Sequence, residues 1–320
     1  MIRLPAVLLL ALLVLLGQGG QAWATPDDAE SEDTGLPLLR KSAQAGRLQS
    51  YSGTLFSTSG KVVRVSNSSG GMSVDRRAVD PATLEGGLLA PSEGMLRTLA
   101  ANFQVLVGGG ATACGRSARL VEALRSDGRP AARFWIDDVS GLLLRREVLD
   151  GSGRVAGAEA FVDVDIAVAR DLPPAAAGSA PAVDSDALAR LRAGGWQFPN
   201  LLPGRLELFD AGEAEGFLKL GYSDGLSVVS VFVQRGRLDE ERLKGWRSQR
   251  SDGHTIWVRE SAGLELIWAS GGHVYTVFAD APADVVEAAV AGLPHEAEPG
   301  FWARLGRGAD RVLSWVNPFA

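Results

Sequence analysis

The chain has 320 residues, of which 46% are hydrophobic and 22% charged, an ordinary globular balance that excludes collagen-like, disordered and disulfide-scaffold classes. Its 38 acidic against 32 basic residues give a net charge of −6, the wrong sign for a broad nucleic-acid footprint. One cysteine, Cys114, excludes an internal disulfide and a Cys-based zinc site, and three histidines leave little for His-dependent catalysis. The length allows two domains, each with its own core.

Arg3 precedes thirteen uncharged, mostly apolar residues, Leu4–Leu16. That run suits a secretory h-region and is short of the ~20 residues a spanning helix needs. Ala22-Trp23-Ala24 then offers small residues at −3 and −1, so a signal peptide is expected over residues 1–24, with an uncleaved anchor as the alternative. The expected location is outside the cytoplasmic membrane, in the periplasm or on the outer face of that membrane. Nucleotide cofactors are scarce there, and no cofactor is expected.

Residues 25–35 carry five acidic groups and nothing to bury, and are expected to be a disordered leader. Leu36–Ala45 fits a short helix with Thr34 as N-cap and Gly46 as its stop. Strands are expected at Tyr51–Phe56 and Lys61–Val65. From Asn102 to Ala169 the pattern is strand, turn, strand: Phe134 and Ile136 alternate with Arg133, Trp135 and Asp137, and Val162, Val164 and Ile166 with Asp163 and Asp165, with Leu142, Leu144 and Val148 sharing a face between them. Period-two alternation predicts antiparallel sheet with one apolar and one wet face.

Residues 172–187 hold three prolines and six alanines without an apolar stripe, and are expected to be a linker. A second domain, 188–294, is expected to have strands near 205–210, 216–222, 226–234, 254–260, 264–270 and 273–279. Short helices are expected at Asp239–Trp246 and Ala283–Ala291. In the tail, 295–320, Phe301, Trp302 and Leu305 recur at helical spacing beside Arg304, Arg307 and Arg311. Such a segment suits an anionic membrane surface or docking back onto the second domain.

Two motifs imitate enzyme signatures. Gly221-Tyr222-Ser223-Asp224-Gly225 matches G-x-S-x-G, but a nucleophile elbow needs a helix next, and the β-rich run Leu226–Val233 follows instead. Gly108-Gly-Gly-Ala-Thr-Ala113 matches G-x-G-x-x-A, but Cys114-Gly115 interrupts the helix a dinucleotide site needs. His254 and His273 stand 19 residues apart without metal-ligand spacing. Neither catalytic nor metal-binding residues are expected, and the chain is not expected to be an enzyme.

Four stretches together resemble the MucB/RseB family of extracytoplasmic sigma-factor regulators: Leu48-Gln-Ser-Tyr51-Ser-Gly53-Thr54, the hairpin Phe134–Asp150, Trp196-Gln-Phe-Pro-Asn-Leu-Leu-Pro203-Gly204, and Tyr222-Ser-Asp-Gly225-Leu. The resemblance spans roughly residues 36–293. It implies an α+β, mostly antiparallel fold: an N-terminal domain, 36–171, with a curved half-barrel sheet and lid helices like the lipoprotein carriers LolA and LolB, then a smaller α+β domain. It implies binding the extracytoplasmic part of a membrane anti-sigma factor, shielding it from proteolysis, and release by a lipid or acylated ligand in the half-barrel. Phe134, Ile136, Leu144, Val148, Val162 and Val164 are the candidates for that apolar face, or else packed core beneath the helices. The chain departs from the family between Val65 and Met95, which is short and Gly/Ser-rich, so the cavity is expected to be smaller or open. A lipid or lipoprotein carrier is the alternative function.

Overall fold

The computed structural model describes residues 35–58, 62–68, 71–74, 91–167, 185–214, 216–251, 254–260 and 264–295. The expected signal peptide, nearly all of the acidic leader, Thr34 and the tail beyond His295 lie outside the described residues, as do 172–184 of the expected linker. The described residues fall in one compact unit. Among the described residues there are two eight-stranded antiparallel sheets and a few helices.

The first sheet is built from β1 (Ser50–Ser57), β2 (Val62–Ser68), β3 (Gly71–Val74), β4 (Gln104–Ala113), β5 (Arg116–Leu124), β6 (Pro130–Asp137), β7 (Leu143–Leu149) and β8 (Val155–Ala167). Its strand order is β3-β2-β1-β8-β7-β6-β5-β4. The glycine run of the apparent dinucleotide motif lies inside β4, where the register slips between Val107 and Gly110. Cys114 and Gly115, with φ of 51° and 68°, turn the chain directly into β5, so no helix N-terminus exists there.

Two helices cover one face of β4–β7. Helix α1 (Gly35–Leu48) buries Leu36, Leu39 and Ala43; helix α2 (Glu93–Asn102) buries Leu96 and Leu99. These pack with Val105, Val121, Phe134 and Ile136 in one core. Ser92 caps α2, its hydroxyl accepting from the Met95 N–H at 3.2 Å. Helix α1 runs two residues past its expected stop at Gly46. The reason is tertiary: the Asn67 amide of β2 donates to the carbonyls of Gly46, Arg47 and Gln49 at 3.2, 3.0 and 2.7 Å. It thereby serves carbonyls that a helix end leaves unpaired.

The sheet is curled rather than flat. Cys114, at the β4–β5 tip, packs against the core of Tyr51, Leu55, Val63, Val65 and Phe161 on β1, β2 and β8. In a flat sheet β5 and β1 would stand about 19 Å apart, at ~4.8 Å per strand. Ala113, Ala118 and Leu144 form a further small cluster against which Val164 and Ile166 pack.

The second sheet has the order β13-β14-β15-β16-β12-β11-β10-β9. Its strands are β9 (Leu201–Leu202), β10 (Leu206–Ala214), β11 (Phe217–Ser223), β12 (Val228–Arg235), β13 (Arg247–Ser251), β14 (His254–Glu260), β15 (Leu264–Ser270) and β16 (His273–Asp280). Helix α3 (Ser185–Ala193) and helix α4 (Ala283–Ala291) pack on one face over Leu218, Leu220, Val231, Trp268 and Val277. Residues 185–187 of the expected linker are the first residues of α3. The expected helix Asp239–Trp246 is only a 3₁₀ turn, Glu240–Arg242, because Gly245 at φ +91° redirects the chain into β13.

Candidate functional site

The pseudo-elbow sequence makes the joint between the two sheets. Strand β11 carries Tyr222 into the second core, where its hydroxyl donates to the Pro199 carbonyl at 2.9 Å and burial raises its pKa. Ser223 is buried, and its Oγ accepts the Gly225 N–H at 2.9 Å. Asp224 is 5% exposed, and its Oδ1 accepts the N–H groups of Leu226 and Ser227 at 2.8 and 2.6 Å. Ser223 is therefore a turn residue, and β12 rather than a helix follows it.

This turn inserts into the first half of the molecule. Leu226, 3% exposed, belongs to the core of α1, α2 and the first sheet, with Leu96, Leu99 and Phe134. The Arg146 guanidinium on β7 donates to the Leu226 carbonyl. Asn102, at the end of α2, donates to the carbonyls of Asp224 and Arg205 at 3.0 and 3.4 Å. Gly225 has φ +94°, and a Cβ there would stand 2.4 Å from the Leu99 nitrogen. Only glycine lets the two backbones approach so closely.

Burial pushes the Asp224 carboxyl above its ordinary value; the N–H groups of Ser227 and Leu226 and the charge of Arg146 oppose this. A second bridge joins the halves elsewhere: the Gly151 N–H, in the β7–β8 turn, donates to Asp284 Oδ2 at the start of α4 at 3.0 Å. The joint can hold the two sheets as one body. It presents no nucleophile to solvent.

The six candidates for an apolar ligand face do not gather in one place. Phe134 and Ile136 are buried under α1 and α2, and Leu144 is buried in the small cluster with Ala113 and Ala118. Val164 packs half-buried at the edge of that cluster, and Val148 is half-buried. Val162 departs from the expectation, being 61% exposed. Thr54 pairs with Asp163 and Leu55 with Phe161, so Val162 is the extra residue of a β-bulge. The alternation visible in the sequence continues straight through that bulge, which is why it misplaces the side chain. A depression of about 310 Å³ lies beside the bulge, lined by Ser52, Gly53, Arg64, Asp163, Val164 and Asp165.

The tail candidates Phe301, Trp302, Arg304, Leu305, Arg307 and Arg311 lie outside the described residues. The histidines pack against aromatic rings: His295 stacks on Trp268 at 5.1 Å and lies 5.7 Å from His254, while His273 lies 5.8 Å from Trp196. Among the described residues no group of three His, Cys, Asp or Glu side chains could hold a metal. Asp137 is the other buried carboxyl with a resolved shift. Burial pushes it up, but Arg116 at 2.6 Å and Ser140 outweigh this and hold it below its ordinary value. It fixes the β6–β7 turn. Sequence analysis had no signal for Arg146 or Asn102 at the joint, since their partners lie 80 and 122 positions away.

Residues 61–180 match the family described as the MucB/RseB N-terminal domain. This bears out the family resemblance over that stretch. No curated protein matches the chain. Similar solved structures include MucB alone, at 19% identity and TM-score 0.48, covering 82% of this chain and 98% of that one. MucB in complex with MucA(peri) is 18% identical, with TM-score 0.45, covering 82% and 99%. The complex of Pseudomonas aeruginosa MucA and MucB gives the same values. Among the described residues, no helix is long and apolar enough to cross a membrane.

Proposed function

We propose that this chain, which carries a MucB/RseB N-terminal domain over residues 61–180, is an exported regulator of an alternative sigma factor. It acts outside the cytoplasmic membrane after removal of residues 1–24, by binding the extracytoplasmic part of a membrane anti-sigma factor and shielding it from proteolysis. The family match is the observation that carries this reading. The protein is a binding module rather than an enzyme. Its domains are the two sheet bodies with their helices, 36–171 and 188–294.

The geometry suits regulation through the joint. Leu226 fills the first core beside Leu96 and Leu99, so a ligand competing for that space would also loosen the second sheet. Such a ligand shifts the population between joined and separated forms only by its differential affinity for the two. An acyl chain has the right chemistry, each buried methylene contributing about 0.8 kcal/mol. Calorimetric titration of residues 25–320 with the extracytoplasmic segments of the host's anti-sigma factors tests the reading. Saturable binding at micromolar or tighter affinity that weakens with added lipid is expected. Absence of binding, with lipid co-purifying instead, would replace the regulator with a lipid carrier.

A further inference from the structure

The face of the second sheet opposite α3 and α4 carries a groove of about 610 Å³ lined by Glu240, Glu241, Leu243, Lys244 and Trp257. Register places Trp257 opposite Ile267, Ile267 opposite Thr276, and Thr276 opposite Phe232, all side by side on that face. Phe232 and Phe278 meet edge-on at 5.7 Å, and Phe278 is 44% exposed. The indole Nε1 of Trp257 is shielded from solvent without a hydrogen-bond partner. The groove therefore combines an apolar floor and an acidic rim; Lys244 is its one basic lining residue.

We infer that this groove is the docking site of the chain's own C-terminal segment, residues 301–316. The segment has the complementary chemistry. Phe301, Trp302 and Leu305 form an apolar stripe, and Arg304, Arg307 and Arg311 supply three positive charges against one, Asp310. The described chain also ends in the right place. His295 lies 5.7 Å from His254, at the start of β14. Trp257 is three residues further along that strand, about 10 Å. His295 stacks on Trp268, on the α3–α4 face, so the segment must round the edge strand β13. Residues 296–300 extend up to ~17 Å, enough to bring Phe301 to that edge and leave the residues after it to enter the groove. The arginines then meet Glu240 and Glu241.

The inference is independent of the sigma-factor reading and extends it with an intramolecular contact. Hydrogen exchange on the full chain tests it, followed in peptides covering 236–246 and 255–260. Reversing the tail charges together (Arg304→Glu, Arg307→Glu, Arg311→Glu) is expected to speed exchange there about tenfold. Adding Glu240→Arg and Glu241→Arg to that variant is expected to restore protection, which a merely misfolded tail would not do. Unchanged exchange in the charge-reversed chain would overturn the assignment. Protection that rises with protein concentration would overturn it in favour of a second copy. Protection that appears only with vesicles containing anionic lipid would overturn it in favour of a membrane surface.

Discussion

At the scale of single residues, Gly225 shows how a local turn preference becomes a tertiary requirement. A Ser-Asp-Gly sequence between two strands already asks for a turn. The structure adds that the α-carbon of this glycine lies against the backbone of Leu99. Gly225→Ala is therefore expected to lower stability by about 2–4 kcal/mol, from strain at positive φ and a clash that only movement of α2 can relieve. Gly110→Ala, where an added Cβ meets nothing within 4 Å, is the control, expected within about 0.5 kcal/mol of the parent. Urea unfolding of both variants checks this. Asp224 gives a pH prediction. Its carboxyl is raised by burial, so it binds its proton more tightly folded than unfolded. Its contribution is fullest below the ordinary carboxylate range and is lost as pH rises through the folded value. Asp224→Asn retains an oxygen to accept the Leu226 and Ser227 N–H groups and carries no charge. Stability of the parent relative to this variant is expected to fall as pH rises above the ordinary carboxylate range, and a flat difference would contradict the assignment.

At the scale of elements, strands with a buried face were legible and polar edges were not. The strands near 254–260, 264–270 and 273–279 fall where alternation placed them. Strand β13, Arg-Ser-Gln-Arg-Ser, has no apolar residue to mark a face, and a polar edge strand is a common defence against pairing with other chains. Leu38, Leu39 and Ala43 mark helix α1 in the sequence, and of these Leu39 and Ala43 are buried and Leu38 is half-buried; the helix end is set by Asn67, 19 positions beyond it. Helix α2 begins where the Gly/Ser-rich stretch ends and is not among the elements expected from the sequence; Ser92 starts it, and Leu96 and Leu99 are fixed by what they pack against.

At the scale of the molecule, two sheets with separate cores are tied together where the second donates the Leu226 side chain to the first. Leu226→Ala is expected to cost about 2–5 kcal/mol, the usual range for an aliphatic truncation in a core. It should also split unfolding into two transitions, the fluorescence of Trp135 reporting the first sheet and that of Trp196 and Trp268 the second. A single transition shifted as a whole would mean that the halves are coupled mainly elsewhere, with the Gly151–Asp284 bridge the first alternative.

The sequence alone determined an antiparallel, β-rich class and a resemblance that the match to the MucB/RseB N-terminal domain over residues 61–180 bears out, with its two enzyme-like motifs set aside on local grounds. Those features are written in nearest-neighbour chemistry, in alternation, turn residues and what must follow a motif for it to function. Only the tertiary structure decided that Val162 turns outward at a bulge, that Phe134 and Ile136 lie beneath helices, and that Leu226 belongs to the core of the other half. The reason is physical. A bulge is an event of register between two strands, and a shared core is an event of proximity between segments about 90 to 190 residues apart. Neither leaves a periodic trace in either segment by itself.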